Sequence, residues 1–512
     1  MSAFAAALSR VPPLLAAHVV LSLAAVALGL LIAVPLAIAA ARRPRLAAAA
    51  LGFASLIQTI PALALLALFF PLLLLVGGGA LPALGFLPSL MALTLYALLP
   101  LLRNGVAGLR GIDPAVIEAA DAVGMTPAQR LRLVEAPLAA PVAIAGLRTA
   151  AVWTIGAATL STTVGQPSLG DLIFAGLQTQ SWSLVLAGCA AAAALALAVD
   201  ALMGLVERGI ATRRRGLWIG ALAMLAAGLL AATIPLWWPA RDADRPLVTV
   251  GAKNFAEQYI LARLIGDRLE RAGYRVQYRD GLGSAVIFGA VASGAVDVYV
   301  DYAGTIWTNE MKRTDVPPRA AMLGAIRTWA ARTHGVGLVA PLGFENAYAF
   351  AMREDDARRR GIATLADLAA QSGSLRLGSD LEFLERPEWA AVRRAYPMRF
   401  AAATPFSPTF MYQALASGRV DAITAFSSDG RIAAERLRVL TDPKRAIPGY
   451  DAILLAAPAR TNDARFLAAL RPLAGRIGVQ AMRQANYRVD READKQSPEQ
   501  AAAWLAQAIG VD

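Results

Sequence analysis

Residues 111–141 read GIDPAVIEAADAVGMTPAQRLRLVEAPLAAP. Asp113 followed by Pro114 is a helix start: a capping side chain, then the residue whose missing N–H costs nothing at the first helical position. Gly124 ends that helix, since glycine takes the left-handed conformation without a Cβ penalty. Thr126, Pro127 and Gln129 open a second helix by the same logic. The stretch therefore predicts a short helix, a glycine turn and a second helix. What flanks it decides the fold.

The chain has 512 residues, of which 57% are hydrophobic, and a mean hydropathy of +0.50. That is too apolar for a soluble protein, yet the apolarity is uneven. Long apolar runs fill 14–238, while 246–512 has the composition of a globular domain. Two bodies follow, one in lipid and one in water. A membrane span needs about 20 apolar residues, and six are read at 14–41, 46–76, 84–102, 142–164, 183–206 and 217–238. The second is long enough to tilt or to break near Pro61.

A net charge of +12 raises the question of nucleic acid. The placement of the charge argues against it. In the apolar half, arginines cluster at Arg42, Arg43 and Arg45, at Arg103 and Arg110, at Arg130 and Arg132, and at Arg208 and Arg213 to Arg215. All lie between spans, where positive charge marks cytoplasmic loops. The N-terminus is then outside, and 42–45, 103–141 and 207–216 are inside. The stretches around Gly77–Gly79 and 165–182 are outside, and the chain emerges outside after the sixth span. The helix pair of 111–141 thus faces the cytosol, and 246–512 lies on the opposite side. The segment from Arg213 to Ala240 also has the layout of a secretion signal; after five other spans, an uncleaved tether is the more economical reading.

No metal or catalytic constellation stands out. Cys189 is the one cysteine, no Cys/His zinc spacing exists, and His18 and His334 are isolated. There is no G-x-S-x-G elbow. No cofactor and no metal is expected. In the globular half, strands and helices alternate. Leu247–Val250 reads as a strand, Asn254 with Glu257 as a capping box, Tyr274–Arg279 as a strand, 284–293 as a helix and Val296–Tyr302 as a strand. Ser497, Pro498 and Gln500 open a last helix. Such alternation predicts parallel sheets covered by helices, and about 265 residues fit two α/β lobes better than one.

The cytosolic helix pair resembles the EAA motif of bacterial ABC importer permeases, with Glu118, Ala119, Ala120, Gly124 and Pro137 in the motif's positions. Neighbouring runs resemble the osmoprotectant (glycine betaine, choline, carnitine) branch of that family. They are Gln58-Thr59-Ile60-Pro61-Ala62-Leu63-Ala64-Leu65, Tyr96-Ala97-Leu98-Leu99-Pro100 with Arg103-Asn104, and Gly146-Leu147-Arg148-Thr149-Ala150. Pro61 and Gly146 free or expose backbone where helices pack or line a cavity, and Arg148 is placed to snorkel at the inner interface. The resemblance implies an all-α, MetI-like transmembrane permease over 1–212, with the sixth helix and a linker over 213–245. Its helix pair would act as a lever between the pore and a cytoplasmic ABC ATPase. No G-x-x-x-x-G-K-[ST] occurs, and Lys253, Lys312, Lys444 and Lys495 all follow residues other than glycine. The ATPase is therefore expected on a separate chain, and this chain is not expected to be an enzyme. The implied partners are that ATPase, a second copy of this chain, a small solute and the membrane, with no nucleic acid. The implied location is the bacterial cytoplasmic (inner) membrane, with 246–512 periplasmic or extracellular.

The globular half resembles the substrate-binding proteins of the same systems. The matching runs are Gly251-Ala252-Lys253-Asn254-Phe255-Ala256-Glu257-Gln258, Gly281-Leu282-Gly283-Ser284, Asp297-Val298-Tyr299-Val300-Asp301-Tyr302-Ala303-Gly304-Thr305, Asn346-Ala347-Tyr348, Glu382-Phe383, Phe426-Ser427-Ser428-Asp429-Gly430 and Pro448-Gly449-Tyr450-Asp451. The resemblance implies a two-lobed periplasmic-binding-protein fold, with the second lobe inserted at about 347–449. A methylated ammonium cannot donate a hydrogen bond, so aromatic faces must hold it. The family's cage positions fall on Tyr302, Tyr348, Tyr412 and Phe426, and Asp301 would add negative charge. For a carboxylate, the helix starts at Asn254 and Ser284 offer free backbone N–H groups, supplemented by Lys253 and Gln258. Ala285 and Phe426 depart from the family's usual threonine and tyrosine. They leave room for a bulkier betaine such as ergothioneine beside the osmoprotectants. A membrane-anchored solute sensor is the alternative of a different class, and the EAA-like helix pair speaks against it.

Overall fold

The computed structural model describes all residues except 1–2, 78–80, 180, 238–243, 381–382, 407, 492–493 and 512. Gly78 and Gly79 of the expected outer loop, the end of the sixth expected span with its linker at 238–243, and Glu382 lie outside the described residues. The chain divides into a helical unit, formed by most of 1–241, and an α/β unit over 242–512.

Among the described residues, five helices are long and apolar enough to cross a membrane: Phe4–Ala41, Phe86–Arg110, Pro127–Val164, Trp182–Ala211 and Arg215–Leu236. The helices Pro44–Thr59 and Ala62–Leu73 are long and apolar enough only together, and they are bent by 100° at the break between them. The five fall on the first, third, fourth, fifth and sixth expected spans, and the bent pair falls on the second. The bend falls at Pro61, which has no N–H to continue the helix. The carbonyl of Ile60 is taken up by the Tyr96 hydroxyl, and Gln58 Nε2 donates to the Tyr96 carbonyl at 3.2 Å. Two of the quoted runs therefore meet at this break.

Apolar side chains gain nothing by leaving lipid for one another, so close backbone approach must hold the spans together. A Cβ added at Gly146 would stand 2.5 Å from Asn104 Cβ and 2.8 Å from the Pro100 carbonyl oxygen. One added at Gly105 would stand 2.9 Å from Ala37 Cβ. Arg148 has partners within the protein. It does not snorkel alone; its Nε and Nη2 reach the two oxygens of Asp200 at 2.6 and 2.7 Å, and Nη1 reaches Glu207 at 3.4 Å. A charge in a span is costly unless paired, and the adjacent helix supplies the pair.

The 111–141 hairpin forms as its local signals require. The helix Pro114–Ala122 starts with the Asp113 carboxylate accepting from Ala115 N at 2.9 Å. Gly124 turns the chain at φ +76°, and the helix Pro127–Arg130 opens with a Thr126–Gln129 capping box. A π turn, Leu131–Glu135, then leads into the helix Ala136–Ala158, which carries Pro137. Glu118 and Ala119 are exposed, and Ala120 is buried.

The α/β unit has two five-stranded sheets. The first orders its strands β2-β1-β3-β10-β4, from β1 (Leu247–Lys253), β2 (Arg275–Leu282), β3 (Val298–Tyr302), β4 (Gly337–Glu345) and β10 (Asp451–Ala456). The second orders them β7-β6-β8-β5-β9, from β5 (Tyr348–Arg353), β6 (Arg376–Ser379), β7 (Ala402–Pro405), β8 (Ala422–Phe426) and β9 (Leu437–Val439). The chain leaves the first sheet between β4 and β5 and returns at β10. Asn346 N donates to the Tyr450 carbonyl at 3.0 Å, tying the two crossings together.

Two expectations are corrected. The sheets are mixed: β10 runs antiparallel to β3 and β4, and β5 antiparallel to β8 and β9. Only strands joined by a local helical crossover are forced parallel, and β5 and β10 are reached from the other lobe instead. The helix after β1 is Ala256–Arg271, begun by extended Phe255 with no side-chain cap. Neither Asn254 nor Glu257 caps it; Glu257 is buried in tertiary contacts instead.

The last helix, Pro498–Ala508, does carry its capping box, with Ser497 N donating to Gln500 Oε1 at 2.9 Å and Gln500 N to Ser497 Oγ at 3.3 Å. Ser497→Ala is expected to lower the stability of the α/β unit by about 1 kcal/mol, read from the urea midpoint. An unchanged midpoint would show that the cap adds nothing here.

Candidate functional site

A cavity of about 160 Å³ opens where the two lobes of the α/β unit meet. A water needs roughly 10–15 Å³ of such space, so the cavity admits a solute of on the order of ten heavy atoms. The first lobe contributes Lys253, Asn254, Phe255, Glu257, Ser284 and Tyr302, and the second Tyr348, Asp380, Arg386, Phe426, Ser428, Asp429 and Arg431. Asn346 and Tyr450 come from the crossings, and Asn486 and Asp490 from the helix Val479–Asp490.

One side of the cavity is aromatic. Phe255 stacks with Tyr302 at 6.2 Å between centroids and lies parallel to Phe426 at 6.4 Å, within 4°. Phe426 packs on Tyr348 at 4.8 Å, and Tyr348 meets Tyr450 edge-on at 5.9 Å. These rings come from β3, β5, β8 and the segments beside them, so folding of both lobes is needed to assemble the wall.

The polar side is organised by Glu257. Its Oε1 accepts from the Tyr302 hydroxyl at 2.6 Å and from Asn346 Nδ2 at 3.0 Å, and its Oε2 from Asn486 Nδ2 at 2.9 Å. Burial raises its carboxyl above the ordinary range; the hydrogen bonds from Ser428, Tyr302 and Asn486 pull it down, and Asp429 pushes it up. Arg386, buried in the wall, reaches Glu388 through Nε at 3.3 Å and Nη2 at 3.2 Å, and its guanidinium stands 5.3 Å from the Tyr348 ring centre. Burial alone would raise Glu388, yet Arg386 beside it holds it below the usual value. Arg431 grips Asp429 through Nε at 3.0 Å and Nη2 at 2.8 Å.

Six residues expected at the site line this cavity: Tyr302, Tyr348, Phe426, Lys253, Asn254 and Ser284. Three stand behind it. Tyr412 donates to Asp429 at 2.7 Å with the Arg431 guanidinium 4.1 Å over its ring, so it supports the wall from inside the second lobe. Gln258 donates to the Tyr302 hydroxyl at 3.0 Å. Asp301 is ion-paired with the buried Lys253 ammonium and accepts from the Tyr299 hydroxyl at 2.6 Å.

Two family descriptions match the chain. "Substrate binding domain of ABC-type glycine betaine transport system" covers 246–507, and "Binding-protein-dependent transport system inner membrane component" covers 25–212. The ergothioneine transport permease/ergothioneine binding protein of Helicobacter pylori (strain G27) is 30% identical over 471 residues, 89% of this chain and 82% of that protein. This chain belongs to the ABC importers that fuse a permease to a betaine-type substrate-binding domain.

The importer's permease half is also 41% identical over 191 residues to the choline transport system permease protein of Bacillus subtilis (strain 168), covering 37% of this chain and 84% of that one. A crystal structure of a glycine betaine/carnitine/choline ABC transporter aligns at 25% identity and a TM-score of 0.46, covering 52% of this chain and 99% of that one. By its family, the importer is a multi-pass inner-membrane protein with its binding domain outside the cytoplasm, and that family works with an ATPase.

The importer's site also holds residues that sequence reasoning missed. Phe255, Glu257, Asn346, Ser428, Asp429 and Tyr450 lie inside the quoted runs, which could have flagged them. Asp380, Arg386, Arg431, Asn486 and Asp490 lie outside every run and carried no local signal. Asp490 stands out among these. Burial pushes its carboxyl up to about 7; Arg431 pulls it down and Asp429 pushes it up.

Asp490 therefore holds its proton more tightly folded than unfolded, where a carboxyl titrates at about 4. Its contribution to stability is fully present below that value and is lost as pH rises through about 7. Asp490→Asn should therefore melt on the order of a few degrees above the parent domain at alkaline pH, with the gap closing in acid. A gap that stays constant across that range would contradict the shift.

Proposed function

We propose that this chain imports a betaine, a solute joining a quaternary ammonium to a carboxylate, captured in the cavity of the α/β unit. The observation that carries the reading is the ring wall of Phe255, Tyr302, Phe426, Tyr348 and Tyr450 facing a buried polar side that contains Arg386. Ring faces are the partners for a cation that offers no N–H, each worth about 0.5–2 kcal/mol in a dry site. Guanidinium is the side chain whose planar donors match a carboxylate. Glu257, accepting from Tyr302, Asn346 and Asn486, adds negative potential beside the rings.

Within that class, a specific observation favours a betaine bearing a ring N–H, of which ergothioneine is one. Asn346 and Asn486 line the cavity and turn their amide nitrogens to Glu257, while their buried oxygens have no protein partner. A buried acceptor left without a donor costs free energy. A heterocyclic N–H would fill it, and glycine betaine has none to offer. The Helicobacter pylori relative carries ergothioneine in its name.

In the cycle proposed here the lobes close on the solute, the loaded domain docks on a permease made of two copies of this chain, and a separate ATPase drives opening through the 113–137 hairpin. Glu118, Ala119, Ala120, Gly124 and Pro137 form its contact and turn.

Calorimetry of 246–512 against glycine betaine, carnitine, choline and ergothioneine should give heat with the zwitterions, strongest with ergothioneine. Silence with all four would refute the ligand class and leave the transporter family standing. Tyr348→Ala, which removes the ring between Phe426 and Tyr450, should weaken binding by about tenfold or more, equal to about 1.4 kcal/mol.

Gly124 has open space where a Cβ would stand, so a substitution there is opposed by the backbone alone. Forcing an L residue into that conformation costs about 1–2 kcal/mol. Gly124→Val is expected to abolish uptake in proteoliposomes while leaving solute binding intact; loss of both would mean misfolding instead.

A further inference from the structure

The cytosolic hairpin has little packing to hold it. Ala120 is the one buried residue in Pro114–Ala122, and Pro127–Arg130 has none among the described residues. Between the two helices lies Gly124, a left-handed turn with no atom within 4 Å of a built Cβ. A force applied to the first helix would bend the chain there before it moved anything in the membrane.

A chain of charges spans this weak point. Arg130 Nη1 reaches both oxygens of Asp121 at 2.7 Å, and its Nε reaches Glu135 Oε1 at 2.8 Å. The other oxygen of Glu135 is 3.3 Å from Arg42 Nη2, at the cytosolic end of the first span. Asp121 belongs to the first hairpin helix, and Glu135 to the π turn that begins the fourth span. A π turn inserts an extra residue into the helical repeat, a feature found mostly at functional sites. Exposed ion pairs hold little by themselves. The Glu135 side chain, however, is only 9% exposed; a buried carboxylate left unpaired is strongly disfavoured, which anchors Arg130.

We propose that Arg130 is a positioning residue that braces the hairpin across Gly124, so that a push on Glu118's helix moves the ends of the first and fourth spans instead of folding the hairpin. This rests on the reading that the hairpin meets the ATPase. Arg130 touches no solute and is not assigned to the ATPase contact; it makes the lever stiff. The guanidinium suits the task because its fixed fork bonds two carboxylates at once, which a lysine ammonium does with poorer geometry.

The test uses the complete importer, this chain with its ATPase, in proteoliposomes. Arg130→Ala is expected to lower maximal uptake by about tenfold or more, with unchanged half-saturation for solute and the ATPase still co-purifying. Arg130→Lys should restore part of the rate. Asp121→Ala cuts only the hairpin end of the bridge and leaves Glu135 paired, so it should reproduce the loss without disturbing the buried carboxylate. Normal uptake in Arg130→Ala or Asp121→Ala overturns the brace, as does loss of the ATPase on purification, which would make Arg130 a docking contact. A Glu118→Cys importer that never cross-links to the ATPase would instead overturn the underlying reading of the hairpin, whatever the uptake.

Discussion

Glu257 is a carboxylate withdrawn from water at the start of the first helix of the α/β unit, and the cavity is built around satisfying it. Tyr302 reaches it from the end of β3, Asn346 from the crossing between the lobes, and Asn486 from a helix near the end of the chain. Asn486 also donates to the Ser428 carbonyl in the second lobe at 2.8 Å. A buried charge tolerates few arrangements, because each missing hydrogen bond is felt in full at low dielectric. One group therefore fixes three segments that are far apart in sequence. With its hydroxyl engaged by Glu257 and Gln258, Tyr302 is held with its ring stacked against Phe255 in the cavity wall.

What could be read from the sequence is what local chemistry controls. Asp113, Gly124 and Thr126 act within a turn of their own positions, and each does what its residue type dictates. The spans follow from length and apolarity, and the break at Pro61 from a missing N–H. The illegible parts depend on distant partners. Arg386, Asn486 and Asp490 enter the cavity only because two lobes and a late helix converge there. Glu257 has the spacing of a capping box, yet tertiary donors outbid the local one. Tyr412 shows the reverse failure: it has the right residue type, but it sits one layer behind the wall, against Asp429.

The membrane half obeys a stricter version of the same rule. Where no water is present, every freed carbonyl and every charge needs a protein partner. Ile60 finds the Tyr96 hydroxyl, and Arg148 finds Asp200 on a different helix. These partners lie 36 and 52 residues away, which is why the sequence around Ile60 or Arg148 does not reveal them. The glycines that let spans touch are Gly105, on the helix Phe86–Arg110 against Ala37, and Gly146, on the helix Ala136–Ala158 against Pro100 and Asn104.

Carrying receptor and pore on one polypeptide changes what docking must achieve. A covalent tether sets an effective concentration on the order of millimolar for a short flexible link, independent of how much protein the cell makes. Docking affinity can then be weak, and the emptied receptor can let go quickly without being lost. Free receptors of other systems, diluted in the surrounding compartment, compete poorly for the same pore. The choice of solute made by the binding domain thereby travels with the pore that it serves.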